Sequence, residues 1–190
     1  GDVAFELHAA GRHNLRNALA AIACTTAAGA PLAAIAQGLS AFRPVKGRSR
    51  TLLLRHRGRA ITLVDDTYNA NPDSMRAAID VLAGYPAPRI LVVGDMGEVG
   101  AQGKEFHEEI GAYAQARGIE SVLATGALSR HLVASGAKHF EQFEELLAAL
   151  DEQLGGNSDA TVLVKGSRFM KMERAVNHLI GSTNTGKDAH

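Results

Sequence analysis

The sequence predicts an α/β domain built on a mostly parallel sheet with helices on both faces, and three observations predict it. Short apolar or β-branched runs recur at residues 51–54, 60–64, 90–93, 121–124 and 161–164. Amphipathic stretches long enough for helices of about ten residues or more separate most of these runs, the pattern of a parallel sheet covered on both sides. Ahead of them, residues 13–42 are alanine-rich and helical in character, so a different packing unit precedes the sheet.

In chain order, Gly29-Ala30-Pro31 divides that first segment into two helices, because proline suits a helix's first turn and not its interior. Phe42-Arg43-Pro44-Val45-Lys46-Gly47-Arg48 combines proline, glycine and charge without a period, which marks a connection and the domain boundary. The runs at 51–54 and 60–64 flank His56-Arg57-Gly58-Arg59 as a hairpin. A helix is expected over 73–83, with Met75, Ala78, Ile79 and Leu82 on one face. The strand at 90–93 leads to a helix over 104–117, and the strand at 121–124 leads to a short helix. A helix over 140–154 precedes the strand at 161–164, and the last helix is expected over 170–180. Residues 182–190 carry no apolar side chain larger than alanine and read as a disordered tail.

Composition narrows the function. Lys plus Arg equals Asp plus Glu at 20 each in 190 residues, so no net field draws the chain to nucleic acid or to an anionic membrane. No apolar run reaches the roughly 18 residues of a membrane span, and the amino terminus lacks the pattern of a secretory signal. The single cysteine, Cys24, excludes an internal disulfide and fits a reducing compartment, and its alanine-rich surroundings predict a small buried side chain. A cytoplasmic protein acting on small molecules is the expectation. The eight histidines include no HExxH pair, and one cysteine cannot build a structural zinc set, so no metal site is expected. His107 alone lies near a candidate loop.

In an open α/β sheet the ligand site lies beyond the carboxyl ends of the strands, so those ends can be read one by one. The second strand runs into Asp65-Asp66-Thr67-Tyr68-Asn69-Ala70-Asn71-Pro72. Turn chemistry accounts for Asn71 and Pro72 as helix cap and first helical residue. It does not account for adjacent acids at a strand end, or for Tyr68 and Asn69. A carboxylate there can accept from ribose hydroxyls, and amides can hold a peptide's carboxylate and amine. Gly94-Asp95-Met96-Gly97-Glu98-Val99-Gly100 follows the third strand; its glycines suit either a tight turn or a substrate contact, and its two acids would repel phosphate. The fourth strand ends in Thr125-Gly126. Lys165-Gly166-Ser167-Arg168 sets cations and a hydroxyl at the last strand's end, a grouping that suits a carboxylate or phosphate, although Ser167 could equally cap a helix beside solvated charges. The phosphate-loop pattern GxxxxGK[ST] is absent in working form, since the spacing at 181–187 is followed by Asp188 where the hydroxyl belongs.

Taken in register, Gly11-Arg12-His13-Asn14 with Asn17-Ala18-Leu19-Ala20-Ala21, Pro44-Val45-Lys46-Gly47-Arg48, the Asp-Asp-Thr-Tyr-Asn-Ala-Asn-Pro run, Gly94-Asp95-Met96-Gly97-Glu98 and Lys165-Gly166-Ser167-Arg168 resemble the Mur ligase family. Within it they are most similar to the branch that joins D-alanyl-D-alanine to UDP-N-acetylmuramoyl-tripeptide with ATP and Mg2+, through an acyl phosphate, in peptidoglycan synthesis. The resemblance implies that residues 1–46 end a central ATPase domain and that residues 47–181 form a Rossmann-like carboxyl-terminal domain. The phosphate loop and metal ligands would then lie upstream, leaving this chain inactive by itself. It implies that Asn14 and Asn17 lie beside the adenine, that Asp66 holds the ribose, and that Arg48 reaches ATP phosphate and is catalytic. By the same resemblance, Asn69, Asn71, Lys165, Ser167 and Arg168 face the amino substrate. A sister ligase adding a diamino acid, D-glutamate or a glutamate tail is the nearest alternative, and Tyr68-Asn69-Ala70-Asn71 argues against it, because the diamino-acid branch usually carries an Ala-His-Thr-Pro type of run there. A binding module without catalysis would also lack the phosphate loop, but the alanine-rich helices look built to pack on a further domain.

Overall fold

The computed structural model describes residues 2–56, 58–156 and 159–184. Helices α1 (Arg12–Ala27) and α2 (Leu32–Ala41) come first, followed by strand β1 (Arg50–His56) and strand β2 (Arg59–Asp66). Helix α3 (Pro72–Ala83), strand β3 (Arg89–Val93), helix α4 (Gly103–Ala116), strand β4 (Ser121–Thr125) and strand β5 (Lys138–Phe140) continue the chain. Helix α5 (Phe143–Leu154), strand β6 (Ala160–Lys165) and helix α6 (Glu173–Asn184) complete it.

The six strands lie in the order β1-β2-β6-β3-β4-β5; β1 pairs antiparallel with β2 and every other pairing is parallel. Strand alternation divides the core between the two faces. Ile61, Leu63, Ile90, Val92, Val162 and Val164 pack beneath α5 and α6. Val64, Leu91, Val93 and Leu163 point the other way, beneath α3 and α4. The apolar runs read from the sequence are therefore buried on both sides, as a central parallel sheet requires.

Local signals set the elements. Asn71 caps α3 by accepting from Ser74 N–H at 2.8 Å, and Ser74 Oγ returns the bond to Asn71 N–H at 3.1 Å. This reciprocal box, with Pro72 at the first helical position, starts the helix one residue before the expected 73. Met75, Ala78, Ile79 and Leu82 are its buried face, as their spacing predicts.

Several expectations change. The hairpin strands run further than 51–54 and 60–64, so that His56 pairs with Arg59 inside the ladder. The short helix after β4 is a 3-10 helix, Ser129–Ser135. Lys138–Phe140 forms the edge strand β5 beside β4, which delays α5 from the expected 140 to Phe143. Another 3-10 turn occupies Arg168–Met170, so α6 begins at Glu173 and extends through Asn184, taking in the first residues expected to be tail. Residues 185–190, with most of that tail and part of the 181–187 glycine spacing, lie outside the described residues. Cys24 is exposed rather than buried, because α1 buries only Ala18 and leaves Leu15 and Leu19 at 49% and 55% exposure. No helix among the described residues is long and apolar enough to cross a membrane.

Candidate functional site

Alternation along β2 sends its two terminal acids to opposite faces, and the incoming connection is fastened to both. Asp65 is buried, and its Oδ2 accepts from Gly47 N–H at 3.0 Å while Oδ1 accepts from the Thr67 hydroxyl at 2.7 Å. Gly47 O accepts in turn from Tyr68 N–H at 2.9 Å. At Gly47, φ is 81° and an added Cβ would meet Tyr68 N at 3.2 Å, so this clamp calls for glycine. Asp66 Oδ1 accepts from both N–H and Oγ–H of Ser49, at 2.9 and 3.1 Å, holding that serine at φ 52°. Left-handed backbone at a non-glycine residue is strained and persists where surrounding bonds over-determine it.

Register sets Asp66 beside Lys165, the last residue of β6. The lysine ammonium lies 2.6 Å from Asp66 Oδ2 and 2.8 Å from the Asn69 carbonyl, with the Lys165 and Asp66 side chains only 3% and 16% exposed. Arg48, between the two clamped residues, is exposed, and its guanidinium lies 3.9 Å over the ring centre of Tyr68.

These groups form one wall of a cleft of about 910 Å³; the other wall comes from α1, α2 and the connection, with Ala18, Ala21, Leu39 and Phe42 giving it an apolar surface. A polar wall facing an apolar one, at the carboxyl ends of parallel strands, is the form of a small-molecule site. Of the residues singled out from sequence, Asn14, Asn17, Arg48, Asp66, Asn69, Asn71 and Lys165 line this cleft. Asn14 Nδ2 also donates to Ala10 O at 2.7 Å, and Asn71 serves the helix cap as well.

Ser167 and Arg168 are outside the lining. Ser167 is buried; its hydroxyl donates to Ala70 O at 3.1 Å and accepts a short bond from Gly97 N–H, joining three loops. Arg168 is turned to solvent and pairs with Glu173 at 3.3 Å. The glycine-rich loop is likewise spent internally. Asp95 Oδ1 accepts from Leu128 N–H and from both N–H and Oγ–H of Ser129, capping the 3-10 helix. Sequence reasoning gave no role to Gly47, Ser49, Asp65 or Tyr68; the adjacent acids were visible, but their partners arrive from a segment 17 to 18 residues away.

His107 is buried behind the Gly94–Gly100 turn, with Nε2 accepting from Met96 N–H at 3.1 Å and Nδ1–H donating to Gly103 O at 2.6 Å. Those bonds require the neutral ring, and burial pushes its pKa below the ordinary histidine value despite the Gly103 bond and the Asp95 charge. Below about pH 6.5 the unfolded chain takes up a proton that the folded chain refuses, so this stability is complete above that pH and is lost as pH falls toward the depressed value. Thermal unfolding followed from pH 7.5 to 5 should show a falling melting temperature, and His107→Gln should remove part of that slope.

Residues 47–168 match the family model described as Mur ligase, glutamate ligase domain. Over 181 residues the chain is 42% identical to the UDP-N-acetylmuramoyl-tripeptide–D-alanyl-D-alanine ligase of Escherichia coli, covering 94% of this chain and 39% of that protein. A crystal structure of MurF from Acinetobacter baumannii superposes with a TM-score of 0.83 at 32% identity, covering 93% of this chain and 39% of that one. MurF from Thermotoga maritima, solved in complex with ADP, gives 0.67 at 25% identity over 80% of this chain and 34% of that one. The chain thus spans between a third and two-fifths of the length of these relatives, in their carboxyl-terminal part. The chain belongs to the Mur ligase family.

Proposed function

We propose that this chain is the carboxyl-terminal part of an ATP-dependent ligase that adds D-alanyl-D-alanine to UDP-N-acetylmuramoyl-tripeptide in peptidoglycan synthesis. The cleft carries the proposal: it gathers the amides of α1, the acid and cations at the strand ends, and the Asn69–Asn71 loop around one space. Asn14 and Asn17 are assigned to the adenine, Asp66 to the ribose, and Asn69 and Asn71 to the dipeptide. Lys165 stands between the last two groups. Ser167 shapes the dipeptide loop from behind through Ala70, and Arg168 is kept as a peripheral contact for the same substrate. Residues 1–46 are assigned to the end of the central ATPase domain and residues 47–181 to the carboxyl-terminal domain.

In the reaction, the tripeptide's terminal carboxylate takes the γ-phosphoryl group of ATP and ADP leaves; the dipeptide amine then attacks the acyl phosphate's carbonyl carbon, gives up a proton to solvent, and inorganic phosphate leaves from the tetrahedral intermediate. This chain supplies position and charge: Arg48 opposes the negative charge that develops on the transferred phosphoryl oxygens. It does not fit the role of magnesium holder. A hard cation needs several oxygen ligands gathered at one point, whereas Asp65 and Asp66 turn to opposite faces of the sheet and Asp95 is bonded to the 3-10 helix start. No cluster of three or more His, Cys, Asp or Glu suited to a metal occurs among the described residues. The metal and the phosphate loop are therefore assigned to the remainder of the ligase. ATP-dependent work on a nucleotide-linked precursor assigns it to the cytoplasm.

The test is an amino-substrate competition with the complete ligase, ATP, Mg2+ and UDP-N-acetylmuramoyl-tripeptide. Product should form with D-alanyl-D-alanine and not with a diamino acid, D-glutamate or glutamate. The chain alone should form none and should bind ATP weaker than micromolar. Preference for another amino substrate, or micromolar ATP binding by the chain alone, would overturn the assignment.

A further inference from the structure

We infer that Tyr68 is the positioning residue for Arg48: its ring face holds the guanidinium at the cleft wall without taking up any N–H donor, leaving those donors for a phosphoryl group. The inference rests on the ligase reading and adds to it a residue and a reason.

Two independent observations carry it. The guanidinium carbon of Arg48 stands 3.9 Å from the Tyr68 ring centre, within the range of a cation–π contact. Among the described residues, moreover, no acceptor takes a bond from the Arg48 side chain. Arg43, Arg76, Arg89 and Arg117 spend theirs on carbonyl or carboxylate oxygens, whereas Arg174, which lies 3.7 Å from the Phe143 ring centre, resembles Arg48 in giving its side chain to a ring and to no acceptor among the described residues. A cation–π contact needs no hydrogen-bond acceptor, so an arginine held by a ring can keep N–H donors for another group. The ring orients the group without occupying it.

The backbone explains why the pair meets. Gly47 O receives Tyr68 N–H at 2.9 Å, one residue before Arg48, and Asp65 and Asp66 fix the residues on either side of Arg48. Arg48 is thus tethered at both flanks and held by the ring at its tip. Tyr68 is 46% exposed, and its phenol oxygen bonds to nothing among the described residues. The aromatic face, not the hydroxyl, is what the arrangement uses. Its exposure also means that replacing it leaves the core intact.

Two measurements test the inference. In the 190-residue chain, the Arg48 Nε–H proton, seen by 15N-edited NMR, should carry the upfield shift of a proton over a ring. Tyr68→Phe should retain that shift and Tyr68→Leu should abolish it, with the melting temperature unchanged in both. In the complete ligase, Tyr68→Leu should lower kcat about three- to fivefold, the size of an exposed cation–π contact, with little change in the KM for the dipeptide. Tyr68→Phe should restore kcat, and Tyr68→Leu should add nothing in an Arg48→Ala background. An Arg48 Nε–H shift that ignores Tyr68→Leu would overturn the contact. Full turnover by Tyr68→Leu where Arg48→Ala is impaired would overturn the positioning role and leave the ligase reading standing. Full turnover by Arg48→Ala would overturn the positioning role as well and remove Arg48 from the mechanism, again leaving the ligase reading standing.

Discussion

Arg48→Ala in the complete ligase is expected to lower kcat by about two to three orders of magnitude while changing the dipeptide KM by no more than about threefold. The asymmetry follows from position. Arg48 lies on the cleft wall with no protein acceptor among the described residues, whereas the groups suited to a dipeptide lie on the loop after β2. An interaction made chiefly as charge develops contributes to kcat and little to ground-state binding. The alternative, that Arg48 is a solvated surface cation, predicts no kinetic effect, since exposed charges without a partner contribute almost nothing to stability. Arg48→Lys separates charge from shape. Lysine keeps the charge but lacks the guanidinium's planar donor fork and its contact with the Tyr68 ring, so it should recover only part of the loss. Wild-type turnover by Arg48→Ala would remove this residue from the mechanism.

How much of this was legible in the sequence depended on how local each signal is. The parallel sheet and both of its faces were legible, because runs such as Ile90-Leu91-Val92-Val93 bury every side chain and the strand ends carry the polar residues. The cap at Asn71 was legible for the same reason, since donor and acceptor are three residues apart. β5 was not: Lys138-His139-Phe140 has no apolar run and becomes a strand only by pairing with the edge of β4. Cys24 was misread because alanine-rich sequence does not specify whether a helix is covered, and α1 is covered only at Ala18. At the site, sequence located the loops but not the direction of each side chain. Lys165 and Ser167 share a strand-end motif, yet one turns to Asp66 and the other locks Ala70 to Gly97. Those partners are 96 to 99 residues from Lys165 and 70 and 97 from Ser167 along the chain, beyond the reach of any local pattern.

Lys165→Met is expected to destabilise the isolated chain by about 3–5 kcal/mol, because it leaves a nearly buried carboxylate without its cation. For a domain of this size the melting temperature should fall on the order of 10 °C. Methionine replaces the aliphatic stem well enough that cavity formation is a minor part of the loss. What disappears is the ammonium bridging Asp66 Oδ2 and the Asn69 carbonyl, after which Asp66 keeps only the donors of Ser49. Adding Asp66→Asn should then cost less than the two single changes together, since the charge that suffers from the missing lysine has been removed. A buried ion pair is a poor way to gain stability compared with apolar packing, so its presence here calls for another reason, and the geometry supplies one. Through Lys165 the loop bearing Asn69 and Asn71 is fixed to Asp66, and through Ser49 Asp66 is fixed to the segment bearing Arg48. One cation thereby locks the groups assigned to the dipeptide, the ribose and the phosphate into a single frame. Chemical denaturation of the single and double variants decides the point: an unchanged midpoint for Lys165→Met would mean that solvent, not Lys165, satisfies Asp66.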